Sequence, residues 1–264
     1  MIEVTNLTKK FKDNDLLAVD GISFSVKAGE VFAFLGPNGA GKSTTIKMLT
    51  TLLEPTGGQM RIGGKDPVEE QDEVRKLFGI VFQDPSLDDE LTAWENMEFH
   101  GVLYRVPKKL RRERIEELLK FVELWERKDD LVKNFSGGMK RRLEIARGLL
   151  HHPRVFFLDE PTLGLDPQTR NHIWSYIKEL NKKEGITVFF STHYMEEADR
   201  VADRLAVIDH GKIVAEGTPQ ELKDRAGVAS LEDAFIALTG KEIREESAGS
   251  LDRLRNGAKM WRRR

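Results

Sequence analysis

FLGPNGAGKSTT, residues 34–45, crowds Gly36, Gly39 and Gly41 together and follows them at once with Lys42 and Ser43. The order is G-x-x-x-x-G-K-S, the pattern of a phosphate-binding loop. Glycine lets the backbone curl so that successive N–H groups point inward at an anion, with no Cβ in the way. The lysine then brings a point charge to the β and γ phosphates, and the serine hydroxyl a ligand for Mg²⁺. Gly36, Pro37, Asn38, Gly39, Ala40, Gly41, Lys42, Ser43 and Thr44 are therefore the candidate nucleotide cradle. The flanks agree. An apolar run at 31–35 reads as a buried strand, and 44–53 as a helix whose N-terminus faces the phosphates. The competing reading is a glycine-rich turn with an incidental lysine.

A chain of 264 residues can bury a full core, as one large domain or one domain with an insertion. Its net charge of −2 offers no global basic field for nucleic acid. The absence of cysteine excludes disulfides, thiolate nucleophiles and zinc–thiolate sites. The start, Met1-Ile2-Glu3-Val4, lacks the features of a secretory signal, and no apolar run approaches the ~18 residues of a membrane span. A soluble, cytosolic chain is the expectation.

Ile22, Phe24 and Val26 alternate with Ser23 and Ser25, and a second short strand is expected around 59–62. Farther on, uniformly apolar strands at 31–35, 79–82, 155–158 and 186–190 alternate with amphipathic helices. That alternation belongs to an α/β fold with a parallel sheet covered on both faces. Between the second and third of these strands lies a long helical stretch, where Ile115, Leu118, Val122 and Trp125 fall at helical spacing. Its charges, among them Arg111, Arg112, Glu116, Glu117 and Glu126, read as a solvated face. His100, His151, His152, His172 and His210 show no metal-ligand spacing.

The third strand, Val155-Phe156-Phe157-Leu158, runs straight into Asp159-Glu160-Pro161. Burying two acids at a strand end makes sense where water, metal or substrate meets them. The carboxyl end of a parallel sheet is where ligands bind. Asp159 is the candidate holder of Mg²⁺, directly or through water. Glu160, on the other side of the strand, is the candidate general base for an attacking water. An acidic turn that merely caps the strand is the alternative.

NFSGGMKRR, residues 134–142, places Ser136, Gly137 and Gly138 at the start of a helix whose Met139, Leu143, Ala146 and Leu150 share a face. N–H groups at a helix start, plus a serine hydroxyl, make a second anion cradle. One nucleotide does not need two cradles from one chain. Two chains facing each other do, each offering Ser-Gly-Gly to the γ-phosphate held by its partner.

This set resembles the ATP-binding cassette ATPases, with Ser136-Gly137-Gly138 as their signature motif. The resemblance implies further roles, residue by residue. Gln83 is similar to the Q-loop glutamine that senses Mg²⁺ and links the core to the helical subdomain. Asp166, in Leu163-Gly164-Leu165-Asp166, resembles the D-loop aspartate facing the dimer partner. His193 matches the switch histidine that contacts the γ-phosphate, and Phe11 stands where an aromatic ring stacks on adenine. Phe135, Met139, Gly164 and Phe11 depart from the commonest residues at their positions, and none of these removes a catalytic group.

The fold so implied is α/β: a P-loop NTPase core with a mostly parallel sheet, a small N-terminal antiparallel β subdomain and an inserted α-helical subdomain. Residues 1–230 would form the ATPase domain, with the helical subdomain at about 86–150, and 231–264 a C-terminal helix and basic tail. The function implied is ATP hydrolysis with Mg²⁺ by two copies of the chain, powering a permease on a separate polypeptide at the cytoplasmic face of the membrane. Residues 83–97 and 231–240 resemble the daunorubicin-resistance and multidrug-export branch, which implies export of drug-like or lipid-like compounds. A soluble cassette ATPase with a non-membrane partner is the alternative, and no nucleic-acid partner is expected. The tail 253–264, basic around Trp261, reads as a solvated terminus, against a contact with acidic headgroups or the permease.

Overall fold

The computed structural model describes residues 1–12 and 16–240. The basic tail lies outside the described residues. In chain order the elements are β1 (Ile2–Lys10), β2 (Leu17–Val26), β3 (Val31–Leu35), α1 (Lys42–Leu49), β4 (Gly57–Ile62), α2 (Gln71–Leu77) and β5 (Phe78–Val81). Three helices follow, α3 (Ala93–Leu103), α4 (Lys108–Phe121) and α5 (Gly137–Leu149). The chain then continues through β6 (Val155–Asp159), α6 (Pro167–Glu184), β7 (Thr187–Thr192), α7 (Met195–Val201), β8 (Arg204–Asp209), β9 (Lys212–Gly217), α8 (Pro219–Ala226) and α9 (Leu231–Thr239).

β2, β1 and β4 make a small antiparallel sheet, and six further strands form a second sheet in the order β5-β6-β7-β3-β8-β9. That second sheet is parallel except for the edge pair β8–β9. The strands expected at 31–35, 79–82, 155–158 and 186–190 are β3, β5, β6 and β7, displaced by two residues at most. β1 escaped the reading for a local reason: register shifts and Asn6 at φ +50° interrupt its two-residue period.

The apolar strands explain the layering. Successive side chains on a strand point to opposite faces. Val31, Ala33 and Leu35 of β3 therefore enter the core under the helices, while Phe32 and Phe34 enter the core beneath the small sheet. Phe24, from β2, closes the second core with ring centroids 5.0 Å from Phe34 and 5.8 Å from Phe32. A strand with two buried faces thus bonds the two sheets into one body. α9 packs Leu231 and Ala234 into the helix-side core.

Two expectations need correction. α4 stops at Phe121, with Glu123 at φ +57°, so Trp125 sits in a separate 3₁₀ turn and meets Trp94 edge-on at 6.3 Å. Arg111 is not on a solvated face either; it pairs with Glu98 at 2.7 Å and donates to the Val106 carbonyl at 2.7 Å. Among the described residues, no helix is long and apolar enough to cross a membrane.

Between α3 and the end of α5, Tyr104 lies between His100 (centroids 4.6 Å apart) and His151 (3.8 Å). Burial pushes the His100 imidazole down to about 3 and His151 to about 4. Both rings stay neutral in the fold while the unfolded chain takes up protons below about 6.5. Stability is therefore lost as pH falls from about 6.5 towards 4. Replacing His100 by Leu should flatten that loss by up to ~1.4 kcal/mol per pH unit, measured by urea unfolding across the range. An unchanged slope would contradict a neutral buried His100.

Candidate active site

The loop after β3 is pinned at both ends by close backbone approaches. The Gly36 N–H donates to the Thr192 carbonyl at 3.2 Å, and a Cβ at position 36 would lie 2.3 Å from the Ile208 carbonyl oxygen. Gly41, the residue before α1, has φ +106° and would put a Cβ 2.5 Å from the Ala18 carbonyl oxygen. Only glycine fits either place. The loop thus opens the N-terminus of α1 into a cleft of 390 Å³, lined by residues 37–44 together with Ala18, Gln83, Glu160, Leu163 and His193.

Lys42, the first residue of α1, turns back over this loop. Its Nζ donates to the Gly36 carbonyl at 2.7 Å and the Pro37 carbonyl at 3.2 Å, and lies 3.1 Å from Glu160 Oε1. Lys42 and Glu160 are both 5% exposed, so water screens this ion pair poorly. The contact is charge on charge without hydrogen-bond geometry, and it leaves Glu160 Oε1 with no hydrogen-bond donor. The other oxygen, Oε2, lies 2.8 Å from His193 Nδ1. A carboxylate only accepts, so Nδ1 carries the proton.

One hydroxyl orders the two acids. Ser191 Oγ, at the end of β7, donates to Asp159 Oδ1 at 2.6 Å and accepts the Glu160 N–H at 3.0 Å. Glu160 itself has φ +49°, a left-handed conformation that a non-glycine residue adopts at a cost of order 1–3 kcal/mol. Ser43 Oγ donates to the same Asp159 oxygen at 3.0 Å. A carboxylate and a hydroxyl this close are hard oxygen donors of the kind Mg²⁺ takes. Among the described residues no group of three or more His, Asp or Glu converges on a metal position. That suits Mg²⁺, which binds one or two protein ligands and fills its remaining positions with water and substrate phosphates. The residues present fit the ion.

The structure brings Gln83, Glu160 and His193 together with the phosphate loop, and Ser43 with Asp159. Ser136, Gly137, Gly138, Asp166 and Phe11 do not line that cleft. Ser136 caps α5, accepting the Met139 N–H at 3.3 Å, and is exposed. Asp166 caps α6; hydrogen bonds from the Thr169 hydroxyl (2.6 Å) and N–H (3.0 Å) hold its carboxyl below the usual range. A Cβ on Gly138 would meet Thr169 Cγ2 at 2.8 Å, so the two helix starts lie against each other. Phe11 is 41% exposed, with Lys9 Nζ 5.5 Å from its ring centre.

Residues 19–163 match the family model for ABC transporters. The chain is 47% identical over 226 residues to the daunorubicin/doxorubicin resistance ATP-binding protein of Streptomyces peucetius, covering 86% of this chain and 68% of that one. The chain belongs to the ABC transporter family. The chain is also 42% identical over 245 residues to the linearmycin resistance ATP-binding protein of Bacillus subtilis, covering 93% of this chain and 76% of that one. Among solved structures, a dimeric ATP-binding cassette in a post-hydrolysis state, bound to ADP and Pi, is similar with a TM-score of 0.75 and 31% identity, over 83% of this chain and 98% of that one. The α/β P-loop fold is that of an ABC ATPase.

For this ABC ATPase, sequence reasoning assigned no role to Ser191, Ala18 or Leu163. Ser191 had a signal, a hydroxyl ending the apolar run of β7. Ala18 had none, since its part is played by a backbone carbonyl that leaves only room for glycine opposite.

Proposed function

We propose that the chain is the ATP-hydrolysing subunit of an exporter for drug-like or lipid-like compounds, driving a permease carried on a separate polypeptide at the cytoplasmic face of the membrane. Glu160, held between Lys42 and His193 in the phosphate-loop cleft, is the observation that carries this reading. The resistance proteins to which the chain is similar support the class of cargo.

In this reading residues 36–44 cradle the nucleotide, and the loop N–H groups beyond Pro37, with the Lys42 ammonium, bind the β and γ phosphates of ATP. Phosphate oxygens compete with Glu160 for Lys42. Glu160 Oε1, buried and without a hydrogen-bond donor, takes the proton of the attacking water. His193 holds Oε2 through Nδ1–H, which fixes the carboxylate beside the position of the γ-phosphate. Mg²⁺, held by Ser43 and Asp159 with Gln83 beside them, supplies charge neutralisation to the phosphates when bound. Phe11 stacks on the adenine. Ser136, Gly137 and Gly138 act on the nucleotide of a second copy, and Asp166 faces that copy. Their position outside the cleft supports a two-chain site.

A place for the permease is suggested by α3. Phe99 (61% exposed), Val102 (52%) and Leu103 (62%) form an outward apolar patch, just past the segment that joins Gln83 to the helical region.

Glu160→Gln should keep ATP binding while lowering hydrolysis ~10²-fold or more, and should retain an ATP-dependent dimer on a sizing column. Lys42→Ala should weaken ATP binding itself, measured by titration calorimetry. Wild-type turnover by the Gln variant would remove Glu160 from its role. Leu103→Glu should leave basal hydrolysis of the isolated chain intact and abolish co-purification with the permease from native membranes. Unimpaired co-purification would place the permease contact elsewhere.

A further inference from the structure

α5 grips the loop that carries Gln83. Its Arg141, Glu144 and Arg147 recur every three residues and so lie along one stripe of the helix, while Leu143, Ala146 and Leu150 face the core. Arg141 Nη1 donates to the Phe82 carbonyl at 2.5 Å, and Nη2 to the Gln83 carbonyl at 3.0 Å. Glu144 Oε2 pairs with Arg141 at 3.1 Å, and Oε1 accepts the Ser86 N–H at 2.8 Å. Arg147 Nη1 donates to the Ser86 carbonyl at 2.7 Å, and its Nη2 to the Ser86 hydroxyl. Side chains of one helix thus satisfy four backbone groups of a loop that has lost its sheet ladder at Val81.

Arg141 is 6% exposed and Glu144 1%. A buried ion pair is a weak source of stability, because desolvation offsets the attraction. Direction is what this one adds. The Phe82 carbonyl lies in the peptide plane before the Gln83 Cα, and the Gln83 carbonyl in the plane after it. Each plane is rigid. Holding both fixes φ and ψ of Gln83, and with them the direction in which its side chain leaves the backbone toward the cleft.

We propose that Arg141, braced by Glu144, is a positioning residue for Gln83, so that the helix bearing Ser136, Gly137 and Gly138 at its start also aims the glutamine of its own chain. This rests on Gln83 acting in the ATP cleft. A nucleotide touching the N-terminus of α5 from a partner chain is thereby connected through one rigid helix to the cleft of the chain that owns α5.

A double-mutant cycle tests it in the full chain. Arg141→Lys keeps the positive charge beside Glu144 but has no fork to span two carbonyls. It should lower kcat ~5-fold or more with KM for ATP within ~2-fold. In a Gln83→Ala background the same change should alter kcat by less than ~2-fold, because the group it aims is gone. Equal fold losses in both backgrounds, or no loss in either, would overturn the assignment. Hydrogen exchange supplies a readout independent of turnover: amides at 82–86 should exchange faster in Arg141→Lys while those of α5 do not. Unchanged exchange at 82–86 also overturns it. If the lysine variant fails to fold, the paired change Arg141→Gln with Glu144→Gln, which leaves no lone buried charge, takes its place in both measurements. A wild-type chain without ATPase activity would contradict the proposed function, and the exchange result would still decide the part of Arg141.

Discussion

Asp159 and Glu160 are neighbours in sequence, both buried, at the end of a strand buried on both faces. A buried carboxylate left without partners costs several kcal/mol, so each of these acids requires a set of its own. Asp159 is met by hydroxyls, from Ser43 on α1 and Ser191 on β7. Glu160 is met by a cation and an imidazole, from Lys42 and His193. The four partners come from only two places, the start of α1 and the end of β7. Parallel pairing of β3 and β6 with β7 brings those places beside the acids. The left-handed turn at Glu160 then aims the second acid away from the first, and Ser191 secures the turn by accepting its N–H.

The second cradle obeys a different logic. Ser136, Gly137 and Gly138 begin a helix whose body is committed to the core and to the Gln83 loop, and whose start is exposed. Thr169 packs against Gly138 and is held by Asp166, so the starts of α5 and α6 form one surface outside the cleft. Exposed N–H groups at a helix start attract anions. Within one chain no phosphate held over Lys42 shares a cleft with them. The two-chain site proposed above would give this exposed helix start its anion.

Much of this was readable in advance, for identifiable reasons. Strands buried on both faces announce themselves as apolar runs, so β3, β5, β6 and β7 were placed to within two residues. A run that ends in two acids or in a cluster of glycines marks its own functional end. β1 was not readable, because a residue at φ +50° and shifts of register broke its alternation. Arg111 and Trp125 misled because sequence spacing does not show where a helix stops or which charges find partners. Arg141 was hidden for a subtler reason: its work is done on two backbone carbonyls, atoms common to every residue, and such partners leave no mark in a sequence.

In the proposed dimer one ATP is held by the phosphate loop of one chain and the Ser136 cradle of another. Mixing two impaired chains tests it most directly. Ser136→Arg places bulk and charge in the cradle and leaves the phosphate loop intact, whereas Lys42→Ala impairs the loop and leaves the cradle intact. In the mixed dimer one site combines both defects, and the other joins an intact loop to an intact cradle. With a tag on one variant, ATP-dependent cross-linking should recover the mixed species where neither variant associates alone. No mixed species, from two folded variants under conditions in which the wild-type chain dimerises, would contradict a site shared between chains.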